Sequence, residues 1–425
     1  MLSNQNIMVK TILSLILSLA QLPMPSVAAS DADSLSLGEG GGLAADSLVT
    51  DKISSKLSIQ LSATASRMIH HGPDINEVLH SYSARFFDIR LKRQQSFETP
   101  TAFDQAMNYP SLQVGLQLDD FSNLDIYRPE TPYRSRIGRM ATLYGGIQIP
   151  LLRAGRFTLG TDLQNGLAYC PHPFDENDNV DNEIIGSTLS IYVNLGFYLR
   201  YRLSSHWSAS AGVDFKHFSN GTLDRPNIGI NALGGTLSVD YNISPQAESA
   251  PRRVAFEKEG RRGFYVEAMA GLGMKALFDG FSVNHSKHNA IYGFPTVMIA
   301  PMYRYHLLHA SGIGIDYTYS DYVYTVRLYD QILGHPAPRY SPHVAGITLR
   351  HEIFYRHFSL SCGVGTYLCR HLGRLSDDES RIYQTVSLRY SFPFTSDRLF
   401  LGYNVKAHRF QKVECLQVVA GYRIW

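Results

Sequence analysis

The stretch Ile191–Leu203, IYVNLGFYLRYRL, decides the fold. Ile191, Val193, Leu195, Phe197, Leu199, Tyr201 and Leu203 alternate with Tyr192, Asn194, Gly196, Tyr198, Arg200 and Arg202. Side chains on a strand point alternately to its two faces, so one face is wholly apolar and the other carries both arginines. That pattern suits a strand lying between lipid and a wet lumen. It returns at Ile382–Phe392 and Leu399–Ala407, and in Leu416, Val418, Ala420, Tyr422 and Ile424 set against Cys415, Gln417, Gly421 and Arg423. Each segment has roughly the 9–11 residues that a membrane-crossing strand needs.

Working outward, about sixteen such strands start near residues 58, 82, 111, 137, 157, 185, 206, 231, 263, 292, 312, 343, 357, 381, 398 and 413. Short turns (Pro150–Arg156, Ser204–Ser205, Tyr355–Arg356, Pro393–Asp397) alternate with long polar loops (Cys170–Glu183, Asn220–Ile230, Asp279–Ala290, Tyr329–Ser341). This asymmetry is that of an outer-membrane barrel, with long loops outside and short turns in the periplasm. Lys92–Tyr109 and Ser244–Arg262 break the periplasmic rule. The expected fold is an all-β transmembrane antiparallel β-barrel of about sixteen strands, the alternative being two tandem eight-stranded barrels. One barrel is favoured because a tandem pair needs two separate closures. A soluble sandwich also alternates, but does not account for the loop asymmetry together with the leader described next.

Residues 1–29 read as a signal peptide: Lys10 precedes the apolar run Ile12–Leu22, and Ser26, Ala28 and Ala29 offer a cleavage site. The run is too short and too serine-broken for a spanning anchor. Residues 30–55, rich in Gly, Ser and Asp, read as a disordered leader. A net charge of +2 over 425 residues argues against a nucleic-acid partner. The four cysteines form neither a disulfide framework nor a metal-ligand spacing. Cys362 and Cys369, at an odd separation on one strand, should face opposite sides.

Leu195–His217 weakly echoes Ala345–Leu368, with Arg200/Arg350, Ser210/Ser361 and Gly212/Gly363 in correspondence. The echo fits either a duplicated eight-stranded unit or shared barrel patterning. In either case residues 56–243 form one half, 244–262 a charged periplasmic linker and 263–425 a second barrel-strand region.

The candidate chemistry lies in HFSNGTLDRPNIGIN, His217–Asn231. Trp207, Ala209, Ala211, Val213 and Phe215 lead on one face to His217 and Ser219, and the next strand begins on that face with Asn231. A serine hydroxyl needs a base, and the base needs a group to orient it. His217 and Ser219 sit at i and i+2, and Asn231 can accept a bond from the imidazole N–H. Asn220 and the backbone N–H groups of Gly221 or Thr222 are natural donors to an oxyanion. By spacing alone, a lone His-x-Ser at a barrel rim is more often an interfacial polar cap than a catalytic pair.

The longer pattern, H-F-S-N-G followed by R-P-N-I-G-I-N, resembles the PagL family of outer-membrane lipid A 3-O-deacylases. The resemblance extends over residues 56–243 and includes YPSLQVGLQLDDFSN (Tyr109–Asn123) and LRYRLSSHWSASAG. It implies His217 as base, Ser219 as nucleophile, and Asn220 with the Thr222 amide as oxyanion hole. The third member, commonly a glutamate in the family, falls on Asn231. Residues 263–425 look like the extra strands of longer members. Their GYRIW ending resembles a barrel's terminal signal, with Trp425 one register out of the lipid phase.

Outer-membrane phospholipase A also carries His-x-Ser-Asn-Gly, with an asparagine fourteen residues after the histidine, the spacing of His217 and Asn231. The Arg-Pro-Asn segment favours the deacylase. The expected function is therefore an outer-membrane serine esterase removing an acyl chain from lipid A. A phospholipase A-type hydrolase and a non-catalytic pore or structural barrel are the alternatives. Partners implied are lipopolysaccharide or phospholipid, the outer membrane and the barrel-assembly machinery; no cofactor or metal is implied. His70-His71 and His285-x-x-His288 read as solvated loop residues, His408 falls on the lumen phase, and Arg200, Arg202, Arg350 and Arg389 should line a hydrated interior.

Overall fold

Alternating apolar and polar positions make sixteen antiparallel strands in the computed structural model, which describes residues 56–69, 78–95, 97, 100–243, 262–277, 291–374, 379–410 and 412–425. The proposed signal peptide, the leader, His70-His71, His285, His288 and nearly all of the linker lie outside the described residues. The first eight strands are β1 Lys56–Met68, β2 Ser83–Gln94, β3 Ser111–Phe121, β4 Gly138–Ala154, β5 Phe157–Tyr169, β6 Leu189–Arg202, β7 Trp207–Ser219 and β8 Ile230–Asn242. The others are β9 Gly263–Ala276, β10 Ile291–Arg304, β11 His309–Tyr319, β12 Tyr340–Tyr355, β13 Phe358–Leu372, β14 Ile382–Ser391, β15 Leu399–His408 and β16 Lys412–Ile424.

The strands close twice. β8 returns to β1 from Ser58 opposite Asn242 to Met68 opposite Ala232. β16 returns to β9 from Leu416 opposite Met274 to Ile424 opposite Val266. The favoured single sixteen-stranded barrel is thus corrected to the alternative, two closed eight-stranded barrels. Alternation tells which residues face inward but not which edge strand meets which. An eight-stranded lumen is just wide enough for side chains to fill it, and the inward residues here are long and of opposite charge.

In the first barrel Arg90 pairs with Asp88 and Asp162, Lys92 pairs with Asp240, and Tyr144 donates to Asp88 at 2.9 Å. In the second, Arg389 and Arg350 meet Glu267 at 2.9 and 3.2 Å, while Arg423 meets Glu352 at 2.7 Å. A buried charge without a partner is costly, and these side chains satisfy one another across the lumen. The interior expected to be hydrated is therefore packed around Arg350 and Arg389, both buried, and Arg200 is held 3.4 Å from Asp240. Outside, Leu237 is 68 % exposed and its inward neighbour Ser238 only 8 %. An apolar belt of this kind belongs in lipid. Among the described residues no helix is long and apolar enough to cross a membrane.

Among the described residues, two α-helices depart from the sequence reading. The β2–β3 connection holds α1, Ala102–Ala106, started by a capping box between Thr101 and Asp104. The β11–β12 loop, read as an irregular polar segment over Tyr329–Ser341, begins with α2, Val323–Ile332, which buries Val323 and Val326. The internal echo falls on β6–β7, the sixth and seventh strands of the first barrel, but on β12–β13, the fourth and fifth of the second. Strands at unequal positions fit shared barrel patterning rather than a repeat. All four cysteines are free.

The barrels touch at both ends. At the short-turn end the Asp104 carboxylate accepts from Tyr355 Oη at 2.8 Å and from Arg356 at 2.6 Å, and Phe103 packs on a core cluster of the second barrel. At the long-loop end the β7–β8 loop of the first barrel meets β9 and β16.

Candidate active site

β7 carries the candidate residues to the long-loop end of the first barrel. Its inward Phe218 is fully buried against Phe86, Phe121 and Tyr192, with ring centroids 5.0–6.2 Å apart. These rings plug the lumen below the site and fix the end of the strand. His217 and Ser219 then take the outward phase, as the alternation requires.

His217 and Asn231 are direct partners in the β7–β8 register. Their side chains share a face, and His217 Nδ1 lies 2.7 Å from Asn231 Oδ1. A carbonyl oxygen only accepts, so Nδ1 carries the proton and Nε2 is the basic nitrogen of the neutral ring. Ser219 pairs instead with Ile191 of β6. Its Oγ accepts from the Gly221 N–H at 3.2 Å and from Asn227 Nδ2 at 3.0 Å.

The site is in the lipid phase yet covered. Ser219 and Asn231 are 7 % and 9 % exposed, whereas Val213, further down the same face, is 53 % exposed. The cover is the 220–229 loop. Gly229 closes it at φ +80°, a conformation glycine adopts without penalty. A Cβ there would stand 3.6 Å from His217 Cε1 and 3.7 Å from Ser219 Cβ, so the glycine keeps the space beside both residues clear. The β5–β6 loop supports this cover: Ile228 and Gly229 donate to the carbonyls of Glu183 and Ile184 at 3.1 and 2.9 Å. Gly186 is required there, because a Cβ would fall 2.0 Å from the Pro226 carbonyl oxygen.

Asn220 and Thr222 are brought together, but bond to each other: the Thr222 N–H donates to Asn220 Oδ1 at 3.0 Å, and Asn220 Nδ2 donates to the Asp224 carbonyl at 3.1 Å. The donors that reach Ser219 are Gly221 and Asn227. Asn227 was not singled out from the sequence. Its only signal was its place in R-P-N, and strand phase does not say where a loop side chain points.

Among the described residues, ligand-type groups converge at Glu379, His408 and Glu414. They lie inside the second barrel, where Arg370 pairs with Glu379 and approaches Glu414 at 3.7 Å. His408 is thus on the lumen side and belongs to an ion-pair network, away from Ser219.

Fold and site together define a membrane β-barrel with a Ser, His and Asn cluster on its lipid-side face. Residues 96–240 match the family model described as lipid A 3-O-deacylase (PagL), and residues 264–425 match the acyloxyacyl hydrolase C-terminal domain. The chain belongs to the PagL-type family of outer-membrane lipid A deacylases, hydrolases of the Gram-negative outer membrane. No curated protein matches the chain. Solved structures similar to it include the β domain of the Bordetella autotransporter BrkA (8 % identity, 87 % of this chain and 98 % of that one, TM-score 0.24). Another is the Pseudomonas aeruginosa OccK11 (OpdR) (12 % identity, 87 % and 96 %, TM-score 0.22). At such scores they carry no argument.

Proposed function

We propose that this protein is a serine esterase of the outer leaflet that removes an ester-linked acyl chain from lipid A. Ser219 is the nucleophile, His217 the general base and Asn231 the group that orients the ring. The observation that carries the reading is the 2.7 Å bond from His217 to Asn231 on the face that also holds Ser219, within a family of lipid A deacylases.

In the reaction His217 Nε2 takes the Ser219 proton as Oγ attacks the acyl carbonyl carbon. The electron pair moves onto the carbonyl oxygen, which donors around Ser219 stabilise. Gly221 and Asn227 already reach Oγ, and Asn220 with the Thr222 amide stands next in the loop. Collapse breaks the bond to the sugar oxygen, which takes the proton back from His217. Water, deprotonated by the same nitrogen, then releases the fatty acid and restores Ser219. An amide lacks the charge of the family's usual glutamate but holds the same tautomer, as asparagine does in Cys-His-Asn sites.

Mass spectrometry of lipid A and phospholipids from cells expressing the protein or Ser219→Ala tests this. Loss of one acyl chain from lipid A with the protein, but not the variant, is expected. Lysophospholipid instead would favour the phospholipase reading, to which the fourteen-residue His–Asn spacing also points. Unchanged lipids with both proteins folded in the outer membrane would overturn the esterase.

A further inference from the structure

The closure seam of the second barrel is incomplete at the long-loop end. The β9–β16 ladder runs up to Leu416 opposite Met274, and two residues further the register would set Glu414 opposite Ala276. Thr222 of the first barrel occupies that place. Its carbonyl accepts the Ala276 N–H at 2.6 Å, and its hydroxyl donates to the Glu414 carbonyl at 3.3 Å. We propose that the second barrel is a positioning partner of the esterase site, with Ala276, Glu414 and Leu416 holding the Gly221–Thr222 segment that presents the Gly221 N–H to Ser219. This rests on the esterase reading above.

Three observations support it. Thr222 has φ +73°, a left-handed conformation that a β-branched residue rarely adopts and that lasts only where its surroundings impose it. The two bonds from β9 and β16 are such an imposition. Leu416 has the outward phase of β16 but is only 9 % exposed, while Val418 and Tyr422 on the same face are 48 % and 41 % exposed. What covers it includes Gly221, whose missing Cβ would lie 3.1 Å from Leu416 Cβ. Gly221 in turn donates its N–H to Ser219 Oγ.

Glu414 is built for this contact. It is an extra residue on β16, since Lys406 faces Cys415 and Ala407 faces Val413. Such a bulge re-aims side chain and carbonyl. The Glu414 carboxylate turns into the second lumen, where Tyr367 donates to it at 2.8 Å and His408 Nε2 lies 3.3 Å away. Its backbone is thereby anchored and its carbonyl meets Thr222. The second barrel has a packed lumen, and this role gives it a function other than conduction.

The test uses the folded full chain in detergent micelles: wild type, Leu416→Ala, Leu416→Met and Ser219→Ala. Leu416→Ala should lower kcat on the order of tenfold, as for a displaced transition-state donor, with KM nearly unchanged. It should also speed deuterium exchange at the Gly221 and Thr222 amides without altering β7 or β8. Leu416→Met should restore both, and Leu416→Val carries the same test if the alanine variant does not fold. Unchanged exchange at the loop, or a loosened loop with wild-type kcat, overturns the proposal. Ser219→Ala separates the two readings: it should abolish turnover and leave exchange at Thr222, whose N–H bonds Asn220, as in wild type, while Gly221, whose N–H loses its acceptor, exchanges faster. Residual turnover would count against the esterase itself.

Discussion

His217 and Asn231 face each other across the β7–β8 pair with Nδ1 and Oδ1 2.7 Å apart, so the ring's tautomer is set by a cross-strand neighbour rather than by a distant loop. Asn231→Ala should therefore lower kcat by roughly 10²-fold or more, in the direction seen when the orienting member of a triad is altered, with little change in KM. Asn231→Asp, which still accepts the Nδ1 proton and adds charge, should retain activity. Equal loss in both variants would show that the bond does not orient the base.

Asn227 reaches Ser219 Oγ with an N–H at 3.0 Å. Its replacement by Ala should cost about 10²–10³ in kcat if it serves the oxyanion, and Asn227→Asp, which cannot donate, should do no better. Steady-state hydrolysis of a short-chain ester by the folded variants checks this. A wild-type rate for Asn227→Ala would leave the Gly221 N–H as the donor at Ser219.

Gly229→Ala forces a side chain onto φ +80° and brings its Cβ to 3.0 Å from the Phe218 carbonyl. The backbone term alone is about 1–2 kcal/mol. Thermal unfolding should show this loss, and turnover should fall further because the new methyl borders both His217 and Ser219.

Burial of Asp104 works against its ionisation, but the bonds from Arg356, Thr101 and Tyr355 outweigh this and hold the carboxyl below its ordinary value of 3.8. A carboxylate with a depressed folded value stabilises the protein fully above its unfolded value and loses that contribution as pH falls through the folded one. Asp104→Asn should thus be less stable than wild type by roughly 1.5 kcal/mol near neutral pH, the low end because Arg356 is partly exposed. The gap should close only below about pH 4. A gap that is constant from neutral pH to acid would show that the ion pair does not bridge the barrels.

The lumens are occupied by Arg90, Asp162, Lys92 and Asp240 in one barrel and by Arg389, Glu267, Arg423 and Glu352 in the other. Planar bilayers containing the protein should pass little current compared with an open porin. Steady, large single-channel steps would revive the pore reading.

The sequence by itself determined the strands and their faces. Alternation marks lipid and lumen sides except at bulges, Glu414 on β16 and Leu368 on β13, the latter leaving Cys369 exposed instead of on the inward phase expected for it. The starts of β3, β5 and β9 fall at the positions read from the sequence, Ser111, Phe157 and Gly263. It also set His217 and Asn231 on one face of adjacent strands joined by a single loop, a local relation that counting recovers. Closure was decided only in three dimensions. β8 finds β1, and β16 finds β9, because each eight-strand set can fill its own lumen with mutually paired charges, a property of volume and distance rather than of periodicity. The loop bonds are equally tertiary. No strand phase governs where Asn227 points, or that the Thr222 carbonyl meets the Ala276 N–H from the other barrel. Outside regular structure each backbone polar group takes whichever partner the fold brings near.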